Sequence, residues 1–164
     1  MNDISLLELR RVRWLLGFVA GGLFLSGVTV FPALYELRWL TSLKSVQVVP
    51  TLHAWLLTCV AGLEVTARDH SFLLYAGDWL AFAHIMLAVL FVGAIHDPLR
   101  NIWVVKFGLI CCAALIPLAL ICGPLRGVPF FWRIIDCAFA PMAGIPLWMA
   151  YRNLCDISSK YQGS

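Results

Sequence analysis

Five side chains in this sequence have the chemistry to act: His84, Asp136, Asp78, Glu64 and Arg133. His84 lies inside "GDWLAFAHIMLAVLFVGAIH", where the residues from Leu80 to Ile95 are otherwise apolar. An imidazole at that depth can relay a proton, contact a ligand or bind a metal or haem. It can equally donate to a neighbouring helix carbonyl and serve packing alone. Asp78 opens the same run. Near a helix start a carboxylate is favoured by the dipole and the free N–H groups, and the flanking Tyr75 and Trp79 suit interfacial depth. At 100° per residue Asp78 and His84 lie about 120° apart around the axis, so they cannot meet on one helix.

Arg133 and Asp136 are three residues apart and share a helix face, the spacing of an ion pair. Paired, they cost less in lipid than either charge alone. Arg133, Asp136 and His84 thus form the candidate ligand or ion-pair set. His84, Asp136, Asp78 and Glu64 are the candidate acid–base groups, with a bundle interior to shift their titration. Glu64 shares a helical line with His53 but sits three turns away, roughly 16 Å.

The elements that must position these groups are membrane spans. The chain of 164 residues is 62% hydrophobic and 13% charged, with a mean hydropathy of +0.87. Ordinary soluble domains carry about 25% charged residues. Four apolar windows, 14–35, 73–95, 102–122 and 128–151, each approach or exceed the roughly 20 residues needed to cross a hydrocarbon core. Backbone polar groups in lipid must be satisfied within the segment, so all four read as helices. The expected fold is an all-α integral membrane protein, a single domain with four transmembrane helices in a compact bundle. The first window follows Arg10, Arg11 and Arg13 but is too long for a signal-peptide core and lacks a small-residue cleavage site, so it reads as a retained helix.

The punctuation is legible as well. In "HDPLRN" Asp97 is expected to cap the third helix, with Pro98 at its first position. In "CGPLRGVP" Gly123 is expected to end that helix and Pro124 to stop it continuing. Pro141 and Pro146 are expected to kink or unwind the second half of the fourth helix. Within the long connection 36–72, Pro50 starts a stretch with Leu52, Trp55, Leu56, Cys59 and Leu63 at helical spacing. That pattern reads as an amphipathic helix along the interface. A tilted fifth crossing over 50–66 is the alternative. Small residues mark expected packing faces: Gly17 and Gly21 on the first helix, Gly77, Ala81, His84 and Ala88 on the second, Asp136, Ala140 and Ala143 on the fourth.

With the N-terminus inside, Arg10, Arg11, Arg13, Arg100, Lys106, Arg152 and Lys160 fall on the cytoplasmic side. Arg38, Lys44, Arg68, Arg126 and Arg133 fall opposite. Both termini are therefore expected in the cytoplasm, with 152–164 as a tail, in a bacterial inner membrane. A net charge of +3 is too small and dispersed for nucleic acid. The six cysteines form no C-x-x-C and read as free, buried thiols. No metal or cofactor is called for, because bis-histidine haem ligation needs a second deep histidine and His53, His70 and His96 lie outside or near helix ends. The expected partners are lipids, with a protein or a second copy docking through the small-residue faces. The leading function is a non-enzymatic accessory, assembly or scaffold subunit. The alternatives are a membrane-embedded enzyme using acid–base chemistry on a lipid or isoprenoid, and proton-coupled transport of a small solute by an oligomer.

Overall fold

A computed structural model describes the backbone of residues 3–162 and the side chains of residues 6–159, and every regular element among them is helical. In chain order the α-helices are α1 (Asp3–Val30), α2 (Ala33–Ser42), α3 (Lys44–Gln47), α4 (Pro50–Asp69), α5 (Tyr75–His96), α6 (Ile102–Leu125) and α7 (Phe130–Gln162). A 3₁₀ turn, Ser71–Leu74, leads into α5. Four segments are long and apolar enough to cross a membrane: Leu6–Val30, Ser71–His96, Ile102–Leu125 and Phe130–Ser159.

The boundaries follow backbone chemistry, with several departures from expectation. α1 stops at Val30 rather than running to residue 35, because Pro32 lacks an N–H and disfavours helical geometry in the residue before it. The chain then makes two further short helices, α2 and α3, that the hydropathy windows did not separate. Pro50 does sit in the first turn of α4, where its missing N–H costs nothing.

Asp97 and Pro98 do not start α6. They lie in a turn closed by the Asp97 Oδ1, which accepts from the Arg100 N–H at 3.2 Å. Asn101 precedes the helix instead and folds its amide back onto the carbonyls of Gly93 (3.2 Å) and Asp97 (2.9 Å). Both oxygens also accept a backbone N–H, from Asp97 and from Asn101 itself, so the amide adds a second bond that fastens the turn to the end of α5.

Gly123 and Pro124 do not end α6 either; the helix continues to Leu125. The stop is Gly127, at φ +71°. The Val128 N–H reaches back to the Gly123 carbonyl at 2.9 Å and the Gly127 N–H to that of Pro124 at 3.1 Å. This is the double hydrogen bond of a Schellman motif, and it needs a left-handed residue at its centre. Pro141 and Pro146 are accommodated within an unbroken α7, and the expected tail is a continuation of that helix.

The chain divides into two units. The first comprises residues 1–22 and 88–164. Its core is built from Val12, Leu16 and Val19 of α1, Phe91 and Ala94 of α5, Val104 and Val105 of α6, and Leu147, Ala150, Leu154 and Ile157 of α7. Leu154 and Ile157 lie in the segment expected to be a tail, and their burial is why it stays ordered. Gly108 of α6 allows the helices to close: a Cβ there would lie 2.8 Å from Leu147 Cδ1 and 3.0 Å from Phe91 Cζ. Without a hydrophobic drive between helices in lipid, such close approach supplies much of the association energy. The Arg13 guanidinium donates to the His96 carbonyl at 3.2 Å, tying the start of α1 to the end of α5.

The second unit, residues 23–87, joins the end of α1 to the start of α5 through α2, α3 and α4. There α1 and α5 run antiparallel, with Val30 against Gly77 and Gly27 against Ala81, His84 and Ile85.

Candidate functional site

Each polar residue singled out from the sequence has a definite place, and the geometry sorts them. His84 projects from α5 onto the α1 face at Gly27, where a Cβ would lie 3.2 Å from the His84 Cβ. Its Nδ1 is 2.8 Å from the Leu80 carbonyl, one turn earlier in its own helix. A carbonyl cannot donate, so Nδ1 must carry the hydrogen in that contact. Nε2 is then an acceptor in the neutral ring. It has no hydrogen-bond partner among the described residues. The intrahelical bond is a packing solution that leaves one nitrogen available.

Asp78 lies in the first turn of α5 and is exposed. It stands beside an aromatic ladder: Tyr75 meets Trp79 edge-on with centroids 6.0 Å apart, and Trp79 meets Phe82 in the same way at 6.0 Å. A carboxylate in a first turn flanked by Trp and Tyr is the arrangement that an interfacial helix start favours.

Glu64 is engaged with a residue that the sequence gave no reason to choose. Arg38 of α2 places Nη2 2.6 Å and Nε 3.0 Å from the Glu64 Oε1. The two side chains are about half exposed, at 51% and 45%. The pair clamps α2 to α4 through one of the two Glu64 oxygens.

The expected pair of Arg133 and Asp136 is not formed; no ion pair joins them. The reason is directional. The three-residue spacing would allow the pair, but Arg133 turns back toward its own first turn and the end of α6. Its guanidinium carbon sits 5.1 Å from the centroid of Phe130. Its stem lies against Gly123 at the end of α6, where a Cβ would be 2.8 Å from Arg133 Cγ and closer still to Cδ. Asp136 has no hydrogen bond or ion pair among the described residues. The stripe that it begins faces α6: Ala140 is buried, and a Cβ on Gly144 would lie 3.7 Å from Cys112 Cβ. The His84 stripe, by contrast, meets α1.

Arg133 and Asp136 thus belong to the first unit, and His84, Asp78 and Glu64 to the second. Among the described residues no three His, Cys, Asp or Glu side chains gather in the way a metal ion requires. Three positions went unread in the sequence: Arg38 as the partner of Glu64, Gly27 as the seat of the His84 stripe, and Gly123 as the seat of Arg133. Gly123 carried a signal, but one that equally describes a helix stop. The close-packing face expected on α1 meets no neighbour among the described residues: a Cβ on Gly17, Gly21 or Gly22 would find nothing within 4 Å.

No family model, curated protein or solved structure matches this chain, so the arrangement of its own residues carries the functional argument.

Proposed function

We propose that this protein is a non-enzymatic subunit of a membrane assembly, and that α1 supplies the face on which another transmembrane helix packs. The observation that carries this reading is a contrast among glycines. Gly27, Gly108 and Gly144 stand against neighbouring helices, whereas Gly17, Gly21 and Gly22 have open space where a side chain would be. Small residues four apart let helix backbones approach closely, and that geometry has value only when a partner helix is present. The separate engagements of Glu64 with Arg38 and of His84 with Leu80 also fit a structural role better than a shared reacting centre.

The same reading includes a membrane arrangement. The four spans form a bundle in a bacterial inner membrane, with both termini at the cytoplasmic face. In support, Arg10, Arg11 and Arg13 lie in the first half of α1, Arg100 and Lys106 flank the start of α6, and Arg152 lies in the last third of α7, all in the halves of the spans assigned to that face. α4 lies along the opposite interface as an amphipathic helix. In support, its exposed side carries Ala54, Leu57, Ala61 and Val65. Two of its hydroxyls are occupied internally, Thr58 with the Ala54 carbonyl at 3.0 Å and Thr66 with that of Gly62 at 2.8 Å.

The test is the size of the assembly in native membranes solubilised in mild detergent. Gly17→Leu and Gly21→Leu are expected to shift the wild-type band on a native gel to the size of the lone chain, with helicity retained. An unchanged band would overturn the proposal. Reporter fusions after Ser159 and within residues 42–49 test the topology and should report opposite sides. Agreement between them would mean that α4 crosses the membrane.

A further inference from the structure

The guanidinium of Arg133 is held in place but answered by no anion. Gly123 leaves room for its stem, and the Phe130 ring lies 5.1 Å from its central carbon. Its Nε is buried without a hydrogen-bond partner. Its two terminal nitrogens are not among the buried unsatisfied atoms and make no hydrogen bond to the described residues. All five N–H donors therefore remain unused, four of them on the outward end of an oriented, planar fork.

Position adds a second argument. Arg133 lies in the first turn of a helix of 33 residues. A cation there opposes the positive end of the helix dipole. The acid that would relieve it, Asp136, is three residues on and forms no ion pair with it. Both spans end at this turn, α6 at Leu125 and the α7 span from Phe130. It therefore lies at the depth where lipid phosphates are found. Arg126, in the turn itself, is exposed and brings a second positive charge. Leu125 and Phe130, 78% and 63% exposed, flank it with apolar surface suited to acyl chains.

We infer that the α6–α7 turn is a docking point for the phosphate of an anionic glycerophospholipid, with Arg133 as its principal donor and Arg126 as an accessory charge. Guanidinium matches phosphate oxygens two at a time, as a point charge on lysine does not. The phosphate neutralises a cation that the helix dipole disfavours. Acyl chains then cover Leu125 and Phe130.

Native mass spectrometry of the full chain, released from detergent doped with phosphatidylglycerol, tests this by counting retained lipids. Arg133→Gln is expected to retain one lipid fewer than wild type, and Arg126→Gln to weaken retention partially. Gly123→Leu keeps the charge but removes its seat, and should lose the same lipid. Arg133→Lys should recover only part of the binding. Phosphatidylcholine or millimolar inorganic phosphate should not substitute, and substitution by inorganic phosphate would mean a free-anion site and overturn the lipid assignment. Equal lipid counts for wild type and a folded Arg133→Gln, with helicity checked by circular dichroism, would also overturn it. If Arg133→Gln does not fold, Gly123→Leu and Arg133→Lys decide, and full retention by both sinks the proposal.

Discussion

Gly27 of α1 faces the backbone carbonyl of Ala81 in α5 so closely that a Cβ there would lie 2.8 Å from the oxygen. A backbone atom cannot swing aside as the end of a side chain can. Gly27→Ala should therefore destabilise the purified protein by about 1–3 kcal/mol, the range for overpacking a fitted contact. Gly17→Ala, which meets nothing, should be neutral or up to about 1 kcal/mol stabilising through helix propensity. Thermal unfolding in one detergent would compare them. Equal effects would mean that the contact between α1 and α5 is misplaced.

Arg38 and Glu64 should show measurable coupling, and Arg133 and Asp136 should not. A half-exposed pair is worth about 0.2–1 kcal/mol, and salt should reduce it. A double-mutant cycle to alanine on each pair reads this directly. Residues with no shared contact add to within about 0.5 kcal/mol. Strong coupling at Arg133 and Asp136 would contradict the backward reach of Arg133 described above.

Gly127 is the one residue at positive φ among those described. Gly127→Ala must place a Cβ in the left-handed region or break the Schellman hydrogen bonds. It should cost about 1 kcal/mol, whereas Gly62→Ala on the open face of α4 should not be harmful. Paired melting curves would show a gap between the two variants, and the absence of one would remove Gly127 as the helix stop.

Cys59 on α4 has its thiol pushed up by burial. The thiolate is the reactive form, so alkylation near neutral pH should be several-fold slower in the folded protein than in the denatured chain. The linkage has a definite sign. The unfolded thiol loses its proton first, near pH 8.5, so stability should decline as pH rises beyond that value. Cys59→Ala should reduce this alkaline loss. A Cys59 rate equal to that of the denatured chain, followed by peptide mapping, would contradict the burial.

Much of the architecture was legible from the amino-acid order because the determining physics is local. Lipid leaves no outside partner for a backbone N–H or C=O, so an apolar run of sufficient length settles its own helix. That located four helices long and apolar enough to cross a membrane, though not the ends of the first, and proline's missing N–H placed the start of α4. The pairings were not local. Arg38 meets Glu64 across 26 residues, and nothing in the periodicity of either helix names the other. Glycine is the clearest case: Gly123, Gly127, Gly27 and Gly17 are the same letter, yet one seats an arginine, one ends a helix, one admits a neighbouring backbone and one stands open. Which of these a glycine does depends on what lies opposite its missing Cβ. Only the packing of one helix against another decides that.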